Sequence, residues 1–247
     1  MTPRTPIALL ALAALTATHA SADIIGFNNL NSAFWQYNQG DNQTPADLPD
    51  PDTIHITSPG GVQARSIFHK TRQSTSGFAA SFTYRGSFGT AYQHGMSFIL
   101  QNDPRGPGAL GGFYEGFGYS GITDSIAITW NLTGNTIGFS TGGNVSAGVF
   151  INGVDLSSNH DIEFSLTYDG TFLTQHLEDT VTGGVFTTNT LVGDLSGHLG
   201  GDLAFVGFGA TARTADQYIS DFRFTVPAPG SLGMLSIAGV VALRRRR

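Results

Sequence analysis

One segment constrains this chain more than any other: GMSFILQNDPRGPGALGGFYEGFGYSGITDSIAITW, from Gly95 to Trp130. An apolar stretch, Met96 to Leu100, breaks into a polar, glycine-rich loop, and a second apolar stretch, Ser125 to Trp130, follows. Glycine lets backbone approach a ligand or a neighbouring strand closely and opens turns closed to other residues. Apolar strands feeding such a loop describe a β-sandwich with a face built for binding.

The rest of the chain repeats the strand signature. Phe78, Ala80, Phe82 and Tyr84 share one face, with Ala79, Ser81, Thr83 and Arg85 on the other. Ile162, Phe164, Leu166 and Tyr168 alternate with Glu163, Ser165, Thr167 and Asp169, and Phe222, Phe224 and Val226 with Asp221, Arg223 and Thr225. A period of two marks a half-buried strand. Leu203 to Phe208 is a continuous apolar run, as in a central strand buried on both faces. Asp169-Gly170, Thr182-Gly183-Gly184 and Gly200-Gly201 read as turns between these runs. No period of 3.6 stands out between Asp23 and Val226. An all-β fold follows, a single domain over 23–226 built as a two-sheet antiparallel β-sandwich. The 247 residues suit one large domain of this kind. With no cysteine, neither disulfides nor thiolate metal sites are open to it, and the core must carry its stability.

Charge narrows the partners. Between Asp23 and Val226 seven Lys/Arg face eighteen Asp/Glu, a balance of −11. An acidic surface argues against nucleic acid and anionic membrane and suits neutral ligands such as sugars.

Both ends read as addresses. Residues 1–22 have a positive start at Arg4, an apolar stretch from Ile7 to Leu15 and a small-residue cleavage site at Ala20-Ser21-Ala22, the layout of a secretory signal peptide. Residues 227–247 form a tail that the motif Val226-Pro227-Ala228-Pro229 opens. About fourteen mostly apolar residues follow, then an arginine cluster that includes Arg244 and Arg245. The apolar run falls short of the roughly 20 residues of a spanning helix. The arrangement resembles the bacterial PEP-CTERM sorting tail, with Ala228 where that family carries Glu. The resemblance implies an exosortase as partner, a transient stay at the inner membrane, and release of the exported protein to the cell surface or matrix.

Enzymatic chemistry has little to stand on. The glutamates are Glu115, Glu163 and Glu178, far apart in sequence, and no strand carries a Glu-x-Asp-x-x-Glu cluster of the sort a retaining glucanase needs. Glu178-Asp179, the one adjacent acidic pair among residues that include a glutamate, reads as solvated surface at a strand end near a turn. No nucleophile elbow, phosphate loop or zinc helix motif is present. Gln39 to Asp52, with Asp41, Asp47, Asp50 and Asp52, matches no calcium-loop spacing and reads as a solvated loop. Gln101 to Gly106 has a functional look, but Asn-Asp-Pro also suits a tight turn, with Arg105 paired to Asp103 or Asp124.

The ordered set FILQNDPRGPGALGG, GFGYSGI and SIAITWN, preceded by ARSIFHKT and GFAASFTYRGSF and followed by IEFSLTYDGTFL, LAFVGFGATAR and ISDFRFTV, resembles the legume-type (L-type) lectin domain in its bacterial form. The resemblance covers about two hundred residues and implies a concanavalin-like jelly roll that is not an enzyme. In that family an Asp, a glycine N–H and an Asn with an aromatic neighbour hold the sugar, while calcium and a transition metal shape the Asn loop. Here His94 stands where the Asp would precede Gly95. The metal strand reads Ile128-Thr129-Trp130-Asn131, so that Thr129 replaces a Glu and Asn131 an Asp. Asn135 aligns with the Asn, and Thr136 stands in place of a His. Neutral oxygens are poor substitutes for such ligands, so no metal and no other cofactor is expected. The candidate carbohydrate-binding residues are His94, Gly112, Tyr114, Asn131 and Asn135. Tyr92, Phe113 and Trp130 are further stacking candidates, although Trp130 also reads as core. The resemblance implies a polysaccharide partner, the exopolysaccharide of the producing bacterium. The alternative is a structural or adhesion module of the extracellular matrix without specific sugar binding.

Overall fold

A computed structural model describes residues 23–40, 47–88 and 94–227. Residues 1–22, Tyr92, Asp41, and the tail from residue 228 with Pro229, Arg244 and Arg245 lie outside them; Val226 and Pro227 follow the last strand as irregular chain.

The described residues form sixteen strands: β1 (Ile24–Ile25), β2 (Trp35–Gln39), β3 (Asp47–Asp50), β4 (Thr53–Thr57), β5 (Gln63–His69), β6 (Gln73–Ser74), β7 (Phe78–Phe88), β8 (Gly95–Gln101), β9 (Ser125–Asn131), β10 (Thr136–Thr141), β11 (Val149–Phe150), β12 (Asp161–Tyr168), β13 (Phe172–Asp179), β14 (Val185–Leu191), β15 (Leu203–Ala212) and β16 (Ala215–Thr225). The back sheet runs β14-β13-β12-β7-β16-β4-β3, with β1 on β16. The front sheet runs β11-β10-β9-β8-β15-β5-β2, with β6 on β15. Pairing is antiparallel in both. The α-helix among the described residues is a single turn, Ser196–Leu199. The antiparallel sandwich expected from the alternation is therefore the fold, and Leu203–Ala212 is a central strand between β8 and β5.

Alternation explains the interior. Phe82 on β7 stacks on Phe164 of the neighbouring β12, centroids 4.9 Å apart. Trp130 reaches Phe164 from the front sheet at 5.0 Å. Phe98 and Phe208, neighbours on β8 and β15, meet at 5.5 Å. All are buried in one cluster between the sheets, and burying a side chain of this size stabilises the fold by roughly 2–3 kcal/mol. In β16 the inward parity changes: Ala215, Gln217 and Ile219 are buried, then Phe222 and Phe224. A bulge between Ser220 and Arg223 makes the switch, with Asp221 at φ 54°. One inserted residue turns every later side chain to the other face.

The glycine-rich segment 102–124 folds back over the outer face of the front sheet. There Tyr119, Ile122 and Ala109 bury Phe68, Ile99, Ala127 and Phe205 in a second apolar cluster. Gly118, at φ 68°, comes so close to β15 that a Cβ would lie 2.5 Å from the Ala210 nitrogen.

Two expectations need correction. Gln39 to Asp52 is not loop throughout: Asp47–Asp50 pairs with β4 as an edge strand, and Asp47 contacts His55 Nδ1 at 2.8 Å. Asp179 does end a strand, but it is buried rather than solvated. Its carboxylate accepts the N–H groups of Val181 and Thr182, and these close the β13–β14 turn.

Candidate site at the end of the front sheet

Register gathers the candidates at one end of the front sheet. Met96, Trp130, Ile137 and Ala210 point into the core, so their neighbours in sequence point outward. Those neighbours pair in a row across five strands: Thr211 with Gly95, Gly95 with Asn131, Asn131 with Thr136, and Thr136 with Phe150. Directly opposite residues share a face.

His94 enters this row immediately before β8. Its carbonyl accepts the Leu132 N–H at 2.8 Å, which locks the start of β8 to the end of β9. The ring is 5% exposed and lies edge-on to Tyr114, centroids 5.3 Å apart. Its Nε2 is buried without a hydrogen-bond partner, which costs about 1–3 kcal/mol in a folded protein. Burial lowers the His94 pKa; Glu115 opposes that and Arg213 adds to it. The ring is accordingly neutral at pH 7, able to donate or accept but not to act as the anion that an aspartate would be.

The glycine-rich loop supplies Tyr114 and Glu115. Tyr114 is half exposed, has φ 56°, and accepts the Thr211 hydroxyl on its carbonyl at 2.6 Å. Glu115 and Phe117 form one wall of a cleft of about 430 Å³ whose floor holds Thr129, Asn131 and Thr136. Composition alone marked Glu115 only as an isolated carboxylate. Its place three residues beyond Gly112, in the loop that faces the row, was the available signal.

The other candidates do different work. Gly112 donates its N–H to Ser120 O at 2.9 Å and its carbonyl accepts the Gly118 N–H at 3.2 Å, so its peptide groups are spent inside the loop. Asn131 Oδ1 accepts Thr133 N at 2.9 Å and Gly134 N at 3.2 Å, shaping the β9–β10 turn. Its Nδ2 donates to none of the described residues. Asn135 donates to Ile151 O and Val154 O and accepts from Leu156 N, so its whole amide ties the β11–β12 connection to the turn. Trp130 is fully buried core. Phe113 is partly exposed on the same loop.

A family-type dinuclear metal site does not fit these residues. Thr129 Oγ1 is engaged with Ser140 Oγ at 3.2 Å, and the Asn131 and Asn135 oxygens accept backbone N–H groups. Among the described residues no three His, Asp or Glu side chains are arranged to hold a metal ion. Neutral, already bonded oxygens cannot repay the dehydration of a divalent cation.

Asp103, at the base of the loop, is structural. It holds Arg105, as one of the two pairings read from the sequence has it, and anchors Thr123. Glu163 and Glu178, distant in sequence, stand directly opposite each other on β12 and β13. Both project from the outer face of the back sheet, the same way from adjacent strands. The fold therefore brings together two carboxylates that the sequence separates, in a cleft they share with His176 and Asp221.

No family model matches the chain, and no curated protein sequence matches it. Solved structures do match its fold. Arcelin-5, a lectin-like defense protein from Phaseolus vulgaris, superposes with a TM-score of 0.66 at 14% identity, over 84% of this chain and 99% of its own. The lectin from Bauhinia forficata in complex with GalNAc gives 0.65 at 17%, over 85% and 99%. Metal-free lectin I-B4 from Griffonia simplicifolia gives 0.66 at 17%, over 83% and 99%. The chain therefore has the legume-lectin sandwich, which is what identity at this level establishes.

Proposed function

We propose that this is an exported, lectin-like protein that binds carbohydrate without a metal ion, and that its ligand is the exopolysaccharide of the producing bacterium. The observation that carries the reading is the partnerless Nε2 of His94 beside the half-exposed Tyr114 ring, at the strand end where Gly95 pairs with Asn131, a residue that lines the neighbouring cleft. A sugar presents hydroxyls and a weakly apolar ring face, and such a site answers both with a positioned nitrogen, an amide and an aromatic plane. The likeness to sugar-binding lectins supports it, as do the exosortase-type tail and the signal-like start.

A second reading has its own observation. Gly112 and Asn135, two expected ligand contacts, spend their polar groups inside the fold. That favours a structural or adhesion module of the matrix with no specific sugar.

The deciding experiment is a glycan array and a purified exopolysaccharide, each with calcium and then with EDTA. Retention that survives EDTA and falls on His94→Ala supports the lectin. Absence of retention in both conditions moves the function to the structural module.

A further inference from the structure

Phe150 is the most conspicuous side chain that the site above leaves unused. It sits on the short edge strand β11, directly opposite Thr136, and therefore on the outer face that carries Asn131. It is 64% exposed. Beyond it lies a second cleft of about 590 Å³, between the β11–β12 connection and the β13–β14 turn, lined by Phe150, Asn152, Asp155, Ser158, His160 and Thr182.

The polar wall of this cleft is held in place. Asp179, buried at the turn, accepts His160 Nδ1 at 2.9 Å. Burial alone would raise the Asp179 pKa, but the His160 bond and the N–H groups of Thr182 and Val181 outweigh it, and the carboxyl titrates at about 2. The carboxylate is thus charged at any physiological pH and pins one ring nitrogen. The other, Nε2, bonds none of the described residues, and the ring lines the cleft. Asn135 fixes the floor through Ile151 and Val154.

Strand spacing sets the scale. Neighbouring strands lie about 4.8 Å apart, so Asn131 to Phe150 is about 10 Å. Along that line an amide, a hydroxyl and an aromatic ring succeed one another without a basic residue, and Phe150, paired with Thr136 of the first cleft, lines the second. The arrangement continues past the first cleft into the second.

We propose that the site extends from Asn131 across Thr136 to Phe150 and His160, and that it takes an internal stretch of a neutral polysaccharide chain rather than one terminal sugar. This rests on the carbohydrate-binding reading above. Phe150 supplies the stacking plane and His160 Nε2 a hydroxyl contact at the far end.

The test is calorimetry of the full chain as secreted against soluble glucan, mannan, galactan and xylan, then against oligosaccharides of increasing length cut from the polymer that binds. Affinity is expected to rise about tenfold or more between the disaccharide and the longer fragments, the worth of a ring stack plus a hydrogen bond. Phe150→Ala and His160→Ala should each remove most of that gain and leave disaccharide affinity unchanged, whereas His94→Ala should weaken every length. Phe150 is exposed, so its truncation leaves the core whole. A plateau at the disaccharide, or full polymer affinity in Phe150→Ala when His94→Ala has lost it, overturns the extension while the lectin reading stands. Wild-type protein that binds neither these polymers nor the producer's own exopolysaccharide overturns both.

Discussion

Asp103 grips Arg105 with both carboxylate oxygens: Oδ1 accepts Nε at 2.7 Å and Oδ2 accepts Nη2 at 2.9 Å. The same guanidinium reaches Leu110 O and Gly121 O, and Oδ2 also takes the Thr123 N–H at 2.8 Å. Arg105, Leu110, Gly121 and Thr123 of the glycine-rich loop are thereby tied together through one carboxylate–guanidinium pair.

Replacing Asp103 by Asn should destabilise the protein by about 3 kcal/mol, since a buried, bonded charge partner is lost. The Arg105 bond holds the Asp103 pKa far below its usual 3.8. A depressed carboxyl stabilises fully above the unfolded value and progressively less as pH falls below it toward the folded one. Urea melts of wild type and Asp103→Asn should therefore differ most near pH 7 and converge as pH drops below 3.8. A constant gap would remove the charge from the explanation.

His94 makes the opposite kind of group testable. Its pKa is lowered from 6.5, mainly by burial. Below pH 6.5 the unfolded chain takes up the proton first, so folding stability falls with acidity until the folded ring titrates too. The melting temperature should decline between pH 7.5 and 5.5, and His94→Gln should flatten that decline. Equal slopes in the two proteins would place the acid sensitivity elsewhere.

Metal removal should change nothing. Glycan retention and melting temperature are expected to be the same in millimolar EDTA and millimolar calcium, because Thr129 and Asn131 offer only neutral oxygens. A calcium-dependent rise of several degrees would signal a ligand set different from the one in the front sheet.

Two glycines in one loop should respond differently to the same change. Gly118→Ala combines φ 68° with a Cβ that would sit 2.5 Å from Ala210 N and 2.7 Å from Arg65 O. Strain and overlap together should cost about 3 kcal/mol. Gly121 has φ 81° but open space around it, so Gly121→Ala should cost only about 1 kcal/mol. Equilibrium unfolding of the pair separates close approach from conformational freedom; similar losses would mean the loop does not press on β15 as described.

The sandwich was legible because its strands alternate cleanly: Phe82, Phe164 and Phe224 face the core as their parity says. The central position of β15 followed from its unbroken apolar run. The site was legible in part. His94, Tyr114 and Asn131 could be placed together because their flanking motifs occur in the lectin order. Hydrogen bonding was harder to read, since nothing in the sequence distinguishes an Asn135 facing a ligand from one folded onto Val154 O. Asp179 was hidden for a related reason. An acidic residue beside a turn is usually solvated, and its burial depends on His160, nineteen positions earlier. Phe150 escaped notice because a two-residue strand is too short to show a period.

The bulge at Asp221 gives β16 two phases, and that makes the number of residues in it matter as much as their kinds. Ile219 and Phe222 both face inward only because one extra residue separates their halves of the strand. A substitution at Asp221 changes one surface side chain. Deleting it would turn either Ile219 with Gln217 or Phe222 with Phe224 out toward water, in the strand that joins β7 to β4 across the middle of the back sheet. Related chains can therefore drift far in composition here while the length of this strand stays fixed, and an alignment that opens a gap within it is misplaced.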